Sequence, residues 1–232
     1  EQAESLFYKA IELDSDYASA YAMAAFCCYW RKISGWLRDR SQDLADGARL
    51  ARRAVELGRD DAVALTRAGH ALGHFGGDLD GCIALLDRAL VLNPNLSAAW
   101  YLSGFQRISS GEPDAAIERF EHAMRLSPMD PEMVRMQTGM TMSHLFAGRF
   151  EVASTWADKA SREPSGFLLA HSIIAATHAL AGRSQEAMRA MQQCRRVTPD
   201  LRLSNLKDWV LLRRAQDLAL LADGLRRAGL PE

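Results

Sequence analysis

Residues 97–130 read SAAWYLSGFQRISSGEPDAAIERFEHAMRLSPMD, and the placing of small and large side chains in this stretch decides the fold. Gly104 and Ala116 are small enough for two helix backbones to approach closely, and Trp100 and Phe120 fill the gaps beside those contacts. Gly111 ends the first helix, Pro113 and Asp114 start the second, and Pro128 ends it. Two antiparallel helices joined by a short turn follow from this pattern alone.

The same register recurs on both sides. Upstream, Gly77, Cys82, Leu86, Ala89 and Pro94 hold it within residues 63–96, where Thr66 and His70 replace Trp100 and Gly104. Downstream, Gly148, Ala153, Ala157 and Ala160 mark one unit, and Ala175, Gly182, Ala187, Met191, Cys194 and Pro199 mark the next. A helical hairpin recurring at about 34 residues is similar to the tetratricopeptide repeat. That resemblance implies an all-α chain, a right-handed superhelical solenoid of antiparallel helix pairs. Residues 1–200 are expected to form the solenoid and residues 201–232 its capping helices. In the last of these, Leu218, Leu221, Ala222 and Leu225 form an apolar stripe with Arg213, Arg214, Arg226 and Arg227 outside it.

The first residues match the second half of a unit, since Ala3, Phe7 and Ala10 correspond to Ala116, Phe120 and Ala123. The solenoid is therefore expected to comprise a half repeat at 1–17 and about five repeats, as the carboxy-terminal part of a longer protein. Leu6, Phe7, Ile11 and Leu13 would be partly uncovered, which predicts self-association through this end. A second departure is the over-long connection near residues 30–43, with Trp30 and Trp36 among Arg31, Lys32, Arg38 and Arg40. Either its tryptophans pack against the scaffold while its arginines face water, or it carries specificity.

Composition excludes several classes. The net charge of −1 and the scattered arginines argue against nucleic acid as a partner. No apolar run reaches the roughly 18–20 residues of a spanning helix, so no membrane contact is expected. Four cysteines without a CxxC pair fit a reduced, cytoplasmic chain. His70 and His74 share a helix face, but Ala71 stands where a zinc protease has its glutamate. No catalytic, metal-binding or cofactor-binding set emerges, and the chain does not read as an enzyme. The methionines within 133–142 read by default as adaptable core, with an adaptable binding surface as the alternative.

The resemblance also implies which positions line the inner surface of the solenoid, chiefly on the first helix of each unit. Carried over residue by residue, these are Ala22, Phe26, Tyr29 and Trp30; Arg67, Ala71, His74 and Phe75; and Tyr101, Phe105 and Ile108. Arg135, Thr138 and Met142 follow in the next unit. An aromatic groove with a few positive charges suits an extended or helical peptide segment of a protein partner. The competing reading is that these aromatics contact adjacent repeats. The Lys and Asn residues with which some tetratricopeptide proteins clamp a terminal carboxylate are absent. Several segments, LARRAVELGRDDAVAL (50–65) and SNLKDWVLLRRAQDLALLADGLRRAGLPE (204–232) among them, resemble the carboxy-terminal repeat region of bacterial class III adenylate/guanylate cyclases and of winged-helix regulators with the same tail. This implies a regulatory interaction module in a signalling protein, or alternatively a homodimerisation scaffold that positions upstream domains.

Overall fold

Helix ends are set locally and repeatedly. Asp39, Asp61 and Asp78 each accept a backbone N–H from the first turn of the following helix, as N-caps do, and Pro113 opens another helix where its missing N–H costs nothing. Gly77, Gly111, Gly148 and Gly182 adopt φ of 69°, 87°, 73° and 74° at the turn inside successive hairpins, a left-handed conformation that favours glycine. The computed structural model describes residues 2–162 and 169–232. Among the described residues the chain is all-helical, without strands.

The chain divides into two compact units, Glu1–Gln106 and Arg107–Glu232. In the first unit, α1 (Gln2–Leu13), α2 (Ala18–Ile33), α3 (Arg40–Leu57), α4 (Ala62–Gly76) and α5 (Leu79–Leu92) lead into α6 (Ser97–Ser110), whose last turn opens the second unit. From α1 to α5 each helix packs against the next, and α2 also packs directly against α4. Ala99 and Trp100 of α6 join Leu65 of α4 and Ala89 and Leu90 of α5 in one cluster. First helices of successive hairpins thus pack on one another in a row. Buried alanines allow this close stacking: Ala22, Ala24, Ala25, Ala51, Ala54, Ala68 and Ala71 are all 0% exposed. Trp100 packs on a cluster of Leu65, Ala89, Leu90 and Ala99, while its indole N–H donates to the Pro94 carbonyl at 2.7 Å.

The over-long connection is largely helix. Trp30, Arg31 and Lys32 belong to α2, and Arg40 to Asp43 open α3, so the loop between them is residues 34–39. Arg31 bridges Glu4 of α1 and Asp43 of α3, the latter at 3.0 Å, and Lys32 donates to the His74 carbonyl. The outcome mixes the two expectations: Trp30 is half-buried, Trp36 is 67% exposed, and Arg31 and Lys32 are engaged with neighbouring helices. No residue of α1 is buried, and Leu6 and Leu13 are 58% and 90% exposed.

In the second unit, α7 (Pro113–Leu126), α8 (Met133–Phe146), α9 (Phe150–Ala160), α10 (Leu169–Leu180), α11 (Ser184–Val197), α12 (Leu206–Trp209) and α13 (Ala215–Arg227) follow. Here α8 and α10 are the touching first helices. Phe120 is 0% exposed and its ring fills the space that Gly139 of α8 leaves open. Met136, Met140 and Met142 are buried, as the core reading expects. Of the stripe expected on α13, Leu221 and Leu225 are buried and Leu218 and Ala222 half-buried, and Asp217 and Gly224 join the buried face. Arg214, expected outside the stripe, instead lies along the Asp217 carboxylate at 2.8 and 2.6 Å.

Candidate functional site

The first-helix row of the first unit concentrates aromatic and cationic side chains. The periodicity that places Phe26, Tyr29 and Trp30 on α2 brings them onto one another: Phe26 and Tyr29 stack at 5.2 Å, and Trp30 meets both rings edge-on at 6.4 and 6.2 Å. From α4, Arg67 lays its guanidinium 4.5 Å above the Phe26 ring and donates to the Tyr101 hydroxyl at 3.2 Å. His74 packs 4.7 Å from Tyr29, and α6 adds Tyr101 and Phe105. Arg67 therefore holds its charge against a ring face and a neutral hydroxyl. Within the first unit, side chains from three successive first helices meet.

The sequence-derived set does not behave as one. Phe26, Tyr29 and Tyr101 are 5%, 3% and 1% exposed, so they build the floor of this face. Trp30, Arg67, His74 and Phe105 are half-buried and supply the surface that a partner could reach. Phe75 is half-buried too, but its ring lies beside Gly47 of α3, where a Cβ would come within 2.6 Å. It thereby packs a hairpin rather than joining the cluster. Ile108 is 2% exposed and belongs to the second unit. Ala22 and Ala71 are fully buried spacers.

Sequence reasoning missed the part played by His70 and Gln106, both 0% exposed. The Gln106 amide N–H donates to His70 Nδ1 at 2.8 Å, and the His70 ring stands edge-on to Tyr29 at 4.6 Å. The available signal was a histidine at the position that Gly104 holds one repeat later: a polar ring at a small-residue site needs a buried partner. This engagement ties the His70–His74 pair, whose rings lie 4.9 Å apart, to hydrogen bonding and ring packing. Among the described residues no group of three or more His, Cys, Asp or Glu could hold a metal ion. Burial pushes the Cys28 thiol up to about 11 and the Cys82 thiol up to about 12, so neither offers a thiolate at neutral pH.

The fold is of the tetratricopeptide type, and likeness to solved structures carries that statement. YrrB, described as a TPR protein with an unusual peptide-binding site, aligns with 84% of this chain and 93% of its own at 18% identity and a TM-score of 0.50. PilW, a type IV pilus biogenesis factor, aligns with 82% of this chain and 83% of its own at 16% identity and a TM-score of 0.60. A chain of the APC/C hetero-tetramer Cut9–Hcn1 aligns with 98% of this chain at 12% identity and a TM-score of 0.70, this chain spanning 39% of that one. No family model and no curated protein sequence matches the chain. No helix among the described residues is long and apolar enough to cross a membrane.

Proposed function

We propose that the chain is a protein-interaction module that holds an extended or helical segment of a partner protein against the first-helix row of its first unit. The observation that carries this reading is the cluster of half-buried Trp30, Arg67 and His74 over a floor of Phe26, Tyr29 and Tyr101, with half-buried Phe105 one helical turn from Tyr101 on α6. Aromatic and arginine side chains on a rigid floor are the groups that dominate binding energy at interfaces. Arg67, held against a ring face and a neutral hydroxyl, favours a segment with an acidic side chain among apolar ones. The test is a peptide array of such segments probed with the whole chain and with Trp30→Ala and Phe105→Ala. Each variant should weaken the captured peptides at least tenfold at unchanged thermal stability. Unchanged capture by the double variant would overturn the assignment.

The second reading, a homodimerisation scaffold, is favoured by one observation: the exposed Leu6 and Leu13 on a helix without a buried residue. Sedimentation tests it, since a monomer at high concentration would remove it. The signalling context, a regulatory module attached to a class III cyclase or a winged-helix regulator, is supported by the resemblance of the quoted segments alone. The coding sequence upstream of Glu1 tests that context: a cyclase or winged-helix domain supports it, and any other content overturns it.

A further inference from the structure

The first-helix row of the second unit is covered where that of the first is open. Residues 138–143 of α8 are buried without a break, as are residues 172–178 of α10. Successive helical residues point about 100° apart, so six or seven in a row buried means cover on every side. In the first unit, α2 and α4 keep half-buried side chains such as Trp30, Arg67 and His74. The sides of α10 are taken by α8, α9, α11 and, from the far end of the chain, α13.

The position of α13 along the row follows from what it touches at each end. At its start, Arg213 N–H donates to the Ser109 carbonyl at 2.8 Å, and Arg214 donates to the Gly111 carbonyl at 3.1 Å, across more than a hundred residues of sequence. Ser109 is in the last turn of α6, and Gly111 lies in the turn between α6 and α7. Further along, Gly224 meets α10, where a Cβ would come within 2.8 Å of the Ala176 carbonyl oxygen and of a Leu180 methyl. From Arg214 to Gly224 a helix advances about 15 Å, close to two interhelix spacings of about 8–10 Å. That length spans the distance from the Gly111 turn to α10. A helix stacked as the next first helix of the solenoid would lie one repeat beyond α10, far from the Gly111 turn. Thus α13 runs along the row instead of extending it. The chain end is tied down beyond: Leu203 N–H donates to the Pro231 carbonyl at 3.0 Å.

We infer that the first-helix row of the second unit is a helix-docking groove, that residues 211–230 are its resident occupant, and that the external ligand it fits is an amphipathic helix of the same pattern. That pattern is an acidic residue bonded back to an arginine, a leucine one turn on, and a glycine against α10 (Asp217, Leu221, Gly224). This site is separate from the aromatic face of the first unit and does not depend on it. A tethered occupant acts at an effective concentration of roughly millimolar, so a partner helix binds by displacing it.

The test uses the whole chain and a fluorescent peptide of residues 211–230. In the chain, Gly224→Leu drives a side chain into the Ala176 carbonyl and should eject α13. The labelled wild-type peptide should then bind this variant at least tenfold more tightly than the wild-type chain, and a peptide carrying Gly224→Leu should bind neither. Equal peptide affinity for the two chains would overturn the inference, as would loss of cooperative unfolding in the variant, which would make α13 an integral part of the core. Hydrogen exchange on the wild-type chain gives a second readout. Amides of 215–227 should exchange at least tenfold faster than those of 138–143, and equal protection would count against a displaceable occupant.

Discussion

Gly139→Ala is the sharpest test of how the second unit is packed. An added Cβ would sit 2.2, 2.5 and 2.7 Å from three ring carbons of Phe120, whereas carbon atoms pack best at about 3.5–4.0 Å. The ring would have to move by more than about 1 Å, and Phe120, at 0% exposure, has nowhere to go. Overpacking of this kind costs about 1–3 kcal/mol. Replacing glycine by alanine within a helix returns about 1 kcal/mol, so the net loss is up to about 2 kcal/mol. In a chain of this size that lowers the melting temperature by up to about 8 °C. Gly76→Ala is the matched control, because its Cβ would meet nothing within 4 Å and the change should be neutral or stabilise by up to about 1 kcal/mol. Urea unfolding of both variants, followed by circular dichroism, reads the difference. A Gly139→Ala chain as stable as the Gly76→Ala chain would refute the contact between Phe120 and α8.

Burial, reinforced by Arg183, holds the His178 imidazole below the ordinary histidine value, against the opposing pull of Asp158. The unfolded chain therefore binds the proton more readily. The stability that neutral His178 contributes is full above about pH 6.5 and is lost as pH falls through that value toward the folded pKa, at up to about 1.4 kcal/mol per pH unit. His144 and His171 shift in the same direction. Unfolding midpoints between pH 7.5 and 5 should fall, and fall less in His178→Gln; a rise on acidification would contradict the assignment. Arg31→Ala should release α1, whose ties include the Glu4–Arg31–Asp43 bridge and which buries no residue. Hydrogen exchange should then accelerate in residues 2–13 and leave α4 unchanged, and equal acceleration in both would show that α1 is not a separate opening unit.

Much of the fold was legible because helix hairpins advertise themselves locally. Glycine at a left-handed turn, proline or aspartate at a helix start, and small residues at the helix contacts are all properties of a residue and its near neighbours. Gly111, Pro113 and Ala116 announce the hairpin whatever lies around them. The candidate face was half legible. Phe26, Tyr29, Trp30, Arg67 and Tyr101 could be placed on one row through the resemblance to the tetratricopeptide repeat. Which of them form a floor and which stay accessible depends on ring-on-ring packing between helices, and Phe75 turned toward Gly47 for the same reason. His70 and Gln106 meet across an interhelix contact that one sequence does not encode pairwise.

What the sequence determined by itself is the repeating hairpin, because it follows from helical period and backbone stereochemistry; the row on which the aromatics of the first unit stand came from the resemblance to the tetratricopeptide repeat. Only the tertiary structure decided the place of the last helix. Its leucines permit more than one buried face. The face in use is selected by Arg214 reaching the Gly111 carbonyl and by the absent side chain of Gly224 meeting α10. Those contacts join residues far apart in the chain, so their energies enter only once the repeats between them have folded.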